Sequence, residues 1–439
     1  MYVDPTFMQF TDGFDREKFI IATYHVQTFR DAEAVKYACA LAVEQSSGTW
    51  TAVPGETPEV REKHLGRVVG LYELPTYLNE IPQNIEERQF VIRLAFPVIN
   101  VGAEFAMILT ALVGNISYLG KIKLMDIELP ESFLKQFPGP KFGIQGIRDL
   151  LGVQDRPLVN TMIKPCTGLT PKQTAEVAYK AAVGGIDLIK DDELTSNQPY
   201  CPLVDRVKEV MKALKAADEE KGEKTLYTFN ITGRVKTLRD RALQAIDAGA
   251  NALMINTWTM GLDAAQMLTE DPEINVPILS HPDLTGALSV SHYSGIAVNL
   301  TIGKFPRLAG LDILLSTSPY GKFPYTMEAL VPSYYTMLTP WKNIKPSMPM
   351  IGGGTTQGHI EEIYKNFGND ILIGAGGAVI GHPMGISAGA KAFRQGIDAV
   401  KKGQTLREAC EDSDNKELKA AIDAWGVYGE ETMFDLKKK

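Results

Sequence analysis

The segment IDLIKDDE, residues 186–193, runs an apolar stretch into Lys190 and three consecutive carboxylates, Asp191, Asp192 and Glu193. Charges delivered by a buried strand need partners. Strand alternation sends Lys190 and Asp192 to one side, and Glu193, at the end, can turn to join them. Two carboxylates and a further oxygen donor make a hard-ligand site suited to Mg²⁺. The same residues could instead form an ordinary lysine–carboxylate ion pair. Two more groups close apolar runs, Lys164 in NTMIKP and His281 in LSHPD, and Lys322 in SPYGKF lies in the loop after another such run. A neutral imidazole can accept a proton or hold a hydroxyl, and a lysine on a mobile loop can reach a phosphate as a point charge. The glycine runs IGGGTTQGH and GAGGAVIGHPMG place Gly352, Gly353, Gly354, Gly376 and Gly377 where backbone N–H groups could cradle that phosphate. Tight turns in a crowded fold would need the same glycines.

Positioning these groups requires a particular scaffold. From about residue 155 the chain alternates short buried strands with amphipathic helices such as TPKQTAEVAYKAAVGG. Eight strands can be counted: PLVNTMIKP, IDLIKDDE, LYTFNITGR, ALMINTWTM, VPILSHPD, LDILLSTSP, MPMIGGG and ILIGAGGA. This rhythm predicts a closed (β/α)8 TIM barrel, whose chemistry sits at the C-terminal strand ends, where the charged residues lie. Ahead of it, FIIATYHV, GTWTAVP, VVGLYEL and QFVIRLAFP read as β segments, and DAEAVKYACALAVEQ and AEFAMILTALVG as helices. The expected organisation is α/β, with a small ferredoxin-like α+β domain over 1–140 and the barrel with a helical tail over 141–439.

With 45 basic and 53 acidic residues among 439, the net charge is −8 and no basic stripe is present, which argues against nucleic acid as a partner. The N-terminus has no signal-peptide pattern and no run is long enough to span a membrane, so a cytoplasmic protein is expected. Cys39, Cys166, Cys201 and Cys410 are widely separated and read as reduced thiols.

Taken together these motifs resemble the large subunit of ribulose-1,5-bisphosphate carboxylase (RuBisCO), over residues from about 20 to 400. GGIDLIKDDE resembles the family's metal motif. The resemblance implies that CO2 carbamylates Lys190, and that the carbamate, Asp192 and Glu193 bind Mg²⁺. MIKPCTGLT resembles the strand-one motif, which implies Lys164 as the enolisation base, its pKa lowered by burial near the metal. EQSSGTW and LVGN resemble segments lent by a partner subunit, which implies a homodimer, or a multiple of dimers, offering Glu44, Thr49, Trp50 and Asn115 to bind substrate. Departures matter as much. Cys166 stands where the family has a second lysine, Pro282 where it has an arginine, Leu315 where it has a histidine, and Gly352 where it has a serine. The last three remove contacts to the second phosphate, whereas Thr49, Lys322, Gly376, Gly377 and Gly354 keep the other phosphate site.

The pattern implies a RuBisCO-like protein: a Mg²⁺-dependent enolising enzyme for a phosphorylated keto-sugar or keto-acid with one phosphate, which does not fix CO2. Isomerisation, tautomerisation and C–C cleavage of the transcarboxylase/hydrolase kind all remain open as outcomes, as does a catalytically silent binding barrel. KTLYTFNITGR, EDPEINVPILSHP and STSPYGK look most similar to the methionine-salvage enolase of the group, although Asn115 stands where that enolase has a lysine.

Overall fold

The computed structural model describes residues 6–10, 12–49, 51, 53–323, 325–431 and 433. It divides into two compact units, one comprising the chain up to Phe137 with 284–301 and 342–344, the other Pro138–Asp283, Ile302–Trp341 and the chain from Lys345.

In the first unit β1 (Phe19–Phe29) leads through the helix Ala34–Glu44 to β2 (Arg67–Glu73) and β3 (Glu87–Pro97). The helix Phe105–Val113 then precedes β4 (Ile122–Glu128). The order βαββαβ and the antiparallel arrangement β4-β1-β3-β2 make the ferredoxin-like sheet. Its register follows from period-two burial: Ile20, Ala22, Tyr24 and Val26 all face inward with no exposure. The facing helix buries Phe105, Ile108 and Leu112, at helical spacing, and the Tyr24 hydroxyl donates to the Leu112 carbonyl at 2.7 Å. Two readings of this region are corrected. The described residues of GTWTAVP form no strand, because a turn at Pro54-Gly55 ends the run, and Trp50 lies outside the described residues. Conversely, IKLMDIE forms β4, its polar residues Lys123 and Asp126 having hidden the apolar alternation.

The second unit is a closed parallel barrel. Its strands are β5 (Leu158–Met162), β6 (Leu188–Lys190), β7 (Leu226–Asn230), β8 (Ala252–Asn256), β9 (Ile278–His281), β11 (Ile313–Thr317), β12 (Met348–Gly352) and β13 (Leu372–Gly374). Between β9 and β11 the chain forms β10 (Gly295–Ile296), which belongs to the first unit and extends its sheet parallel to β4. All eight barrel strands coincide with the expected segments. The barrel interior is filled by side chains including Leu158, Met162, Leu188, Leu226, Met254, Leu279, Ile313, Leu315, Met348, Met350 and Leu372. That packing fixes which parity of each strand points inward, and so which residues reach the mouth one step later. At the opposite end polar groups serve packing: Arg156 grips buried Asp187 through two hydrogen bonds of 2.7 Å. Among the described residues no helix is long and apolar enough to cross a membrane.

Candidate active site

Counting inward parity from the core, the mouth of the barrel receives Lys164 after β5, Lys190 from β6, Asn230 from β7, Asn256 from β8, His281 from β9 and Thr317 from β11. Of these, the sequence reading named Lys164, Lys190 and His281. Asn230, Asn256 and Thr317 were missed, although each is the last inward-facing residue of its strand, a signal visible once the register is known.

Lys190 is 1% exposed, and its Nζ donates to the Asp191 carbonyl at 2.9 Å and to Glu193 Oε2 at 3.1 Å. Glu193 Oε2 also lies 3.3 Å from His281 Nε2, whose other nitrogen lies 3.3 Å from Asp283 Oδ1. Burial opposes charge on Glu193, but the His281 hydrogen bond and the Lys190 charge outweigh it and hold the carboxyl well below the usual range. Asp192 is buried and accepts from Lys164 Nζ at 2.6 Å. Lys190, Asp192, Glu193, Lys164 and His281 are therefore brought together.

Asp191, one step out of phase, turns away into the barrel wall. It accepts from Arg206 Nε at 3.1 Å, the Tyr227 hydroxyl at 2.6 Å and the Asn230 N–H at 2.8 Å. Arg206 has no exposure, and it also donates to the Ser196 and Cys201 carbonyls, so this pair ties down the loop that follows the carboxylates. Arg206→Met, which leaves the Asp191 charge without its cation, is expected to cost about 3 to 5 kcal/mol of stability by urea unfolding. A loss below about 1 kcal/mol would contradict the assigned role.

For Lys164, burial is opposed by its neighbours when Asp192 holds no metal. Burial pushes the ammonium down, but hydrogen bonds to Asp192 and to Cys166 Sγ, at 3.1 Å, outweigh it and raise its pKa. Lys164 is held protonated by the carboxylate beside it. Cys166 thus meets the lysine itself.

The glycine turns frame the other side. Gly352 ends β12 with its α-carbon facing Leu315 and Met162: an added Cβ would lie 3.0 Å from Leu315 Cδ1 and 3.3 Å from Met162 Cε. This part of the mouth is apolar. Gly353 and Gly354 have φ of 95° and 98°, which side-chain-bearing residues rarely adopt. The Gly353 carbonyl accepts from the Lys322 N–H at 3.0 Å, so the Lys322 loop is stitched to this turn, with the exposed Nζ over the Phe323 ring. Gly376 lies beside Lys164, whose Cε would be 3.5 Å from an added Cβ, and Gly377 faces open space. Behind the turn, His359 is buried and Nδ1 accepts from the Thr356 N–H at 3.0 Å. Burial pushes its imidazole down to about 4. A histidine depressed on folding contributes stability above its unfolded pKa near 6.5 that is lost as pH falls towards 4. The expected loss across that window is roughly 3 kcal/mol, measured by urea midpoints, and His359→Gln should flatten it.

In the first unit Asn115 Nδ2 donates to Glu44 Oε1 at 3.1 Å, so these two are brought together. Thr49 is exposed in the same unit.

Residues 143–425 match the ribulose bisphosphate carboxylase large chain, catalytic domain, and residues 10–133 its N-terminal domain. The chain belongs to this family. It is 44% identical over 94% of its length to a ribulose bisphosphate carboxylase-like protein of Archaeoglobus fulgidus, 94% of which is covered. It is 37% identical over 93% of its length to the 2,3-diketo-5-methylthiopentyl-1-phosphate enolase of Geobacillus thermodenitrificans, 98% of which is covered. The solved RuBisCO-like protein of Alicyclobacillus acidocaldarius superposes with a TM-score of 0.85 at 36% identity, covering 93% of this chain and all of that one. A dimeric archaeal RuBisCO from Hyperthermus butylicus gives 0.84 at 31% identity, covering 93% and 96%.

Proposed function

We propose that this RuBisCO-like chain enolises a phosphorylated keto-sugar or keto-acid bearing a single phosphate, with Mg²⁺ as cofactor, and does not fix CO2. The observation that carries the reading is Lys190, a fully buried lysine whose Nζ is surrounded by oxygen between Asp191 and Glu193, with Asp192 on the adjoining turn. Among the described residues no three His, Cys, Asp or Glu side chains converge as a metal site. Asp192 and Glu193 supply two hard oxygen ligands, and a carbamate formed from CO2 on Lys190 would supply the third while removing the cation between them. Bound there, Mg²⁺ would polarise adjacent carbonyl and hydroxyl oxygens and so acidify the neighbouring C–H.

The remaining work belongs to the chain's own residues. Lys164 becomes a base once Asp192 is engaged by another cation, and it then accepts the carbon-bound proton. His281 Nε2 is held beside Glu193, and Nδ1, buried without a hydrogen-bond partner, holds a substrate hydroxyl. Lys322 and the N–H groups of Gly353, Gly354, Gly376 and Gly377 take the phosphate. The apolar lining from Leu315 and Met162 around Gly352 disfavours a second phosphate and supports a substrate ending in an uncharged group. This lining also favours, as a second reading, the substrate named in the Geobacillus relative. Glu44, Thr49 and Asn115 would complete the partner's site in a homodimer, an arrangement that the dimeric archaeal relative supports.

Titration calorimetry with Mg²⁺ and bicarbonate should show a ketose monophosphate binding at least about tenfold more tightly than ribulose bisphosphate. Labelled bicarbonate should not enter any product. Incorporation of label, or preference for the bisphosphate, would overturn the proposal.

A further inference from the structure

Three adjacent strands end in inward-facing polar residues, Asn256 on β8, His281 on β9 and Thr317 on β11, and two of the three have had no role assigned to them. Asn256 is 7% exposed. Its Nδ2 donates to the Glu193 carbonyl at 3.1 Å, which fixes the carboxamide, yet its Oδ1 is buried without a hydrogen-bond partner. The Thr317 hydroxyl is likewise buried without a partner. A buried carbonyl oxygen left unpaired costs free energy that an apolar residue would avoid. Both atoms point by strand parity toward the mouth, Asn256 across the barrel from the glycine turns and Thr317 beside Gly352, with which it pairs.

We infer that Asn256 and Thr317 determine specificity for a hydroxyl group on the substrate's carbon chain. Asn256 Oδ1 can only accept, so its partner must be a donor, and a sugar hydroxyl supplies one. Thr317 Oγ both donates and accepts, so it can receive the same group's oxygen or the next hydroxyl along. A phosphate or carboxylate is excluded at Asn256 Oδ1, because two acceptors would face each other. The mouth thereby sorts a substrate along its length: phosphate at Gly353, Gly354, Gly376 and Gly377, carbonyl and adjacent hydroxyl at the carboxylates, and a further hydroxyl along the ends of β8, β9 and β11. The inference rests on the proposed function of the same site.

The test compares ribulose 1-phosphate with its 4-deoxy and 5-deoxy analogues, by titration calorimetry in the presence of Mg²⁺ and bicarbonate, on wild type, Asn256→Leu and the isosteric Thr317→Val. Wild type is expected to prefer the hydroxylated sugar by roughly 10- to 100-fold over at least one deoxy analogue. Asn256→Leu should erase most of that ratio while keeping affinity for the deoxy compound; a loss of packing alone would weaken both ligands equally. Thr317→Val provides the same comparison should Asn256→Leu fail to fold. Discrimination retained in the folded variants would overturn the inference and leave the proposed function standing. Wild type binding none of the three would overturn both.

Discussion

Lys190→Met should lower Mg²⁺-dependent carbon-bound proton exchange by about a thousandfold or more, with the fold intact. The side chain is fully buried and sits between the Asp191 carbonyl and Glu193, so methionine fills the same space without donating to either oxygen. Methionine cannot be carbamylated, and the chain then offers two carboxylates in place of the three oxygen ligands proposed. Mg²⁺ affinity measured by calorimetry should fall together with exchange. If Lys190 served only as the counter-ion of Glu193, its loss would weaken stability and leave metal-dependent exchange within a few-fold of wild type, which would contradict the assignment.

Lys164→Met has the second-largest expected effect, a fall of about 10²- to 10⁴-fold in exchange rate. Here the prediction separates rate from binding. Lys164 Nζ hydrogen-bonds Asp192 and Cys166, so with the phosphate held by the glycine turns as proposed, substrate affinity should change by less than about tenfold while kcat collapses. Mg²⁺ affinity should hold or rise, because the variant removes a cation that competes for the Asp192 carboxylate. Equal losses in KM and kcat would point instead to a role in holding substrate.

The barrel was legible because its strands are short apolar runs ending in charge, and each of the eight was found where the pattern placed it. In the first unit β4 escaped notice because Lys123 and Asp126 interrupt its apolar alternation, and β10 because two residues carry no periodicity. The charged cluster was readable from Lys190, Asp192 and Glu193, since alternation puts the first two on a common side and Glu193, at the strand's end, can turn to join them. Asn230, Asn256 and Thr317 were not, because an amide or hydroxyl at a strand end looks like any loop residue until the neighbouring strands fix which face is inside. The contact between Lys164 and Asp192 was hidden for a related reason: the carboxylate 2.6 Å away is visible only in three dimensions.

The most direct measurement is proton exchange in D2O, followed by NMR on a panel of ketose and keto-acid monophosphates with Mg²⁺ and bicarbonate. The proposed function predicts loss of the signal from the carbon next to the carbonyl of at least one compound, dependent on both metal and Lys190. Mg²⁺ binding with no exchange on any of them would contradict it and favour a barrel that binds without catalysing.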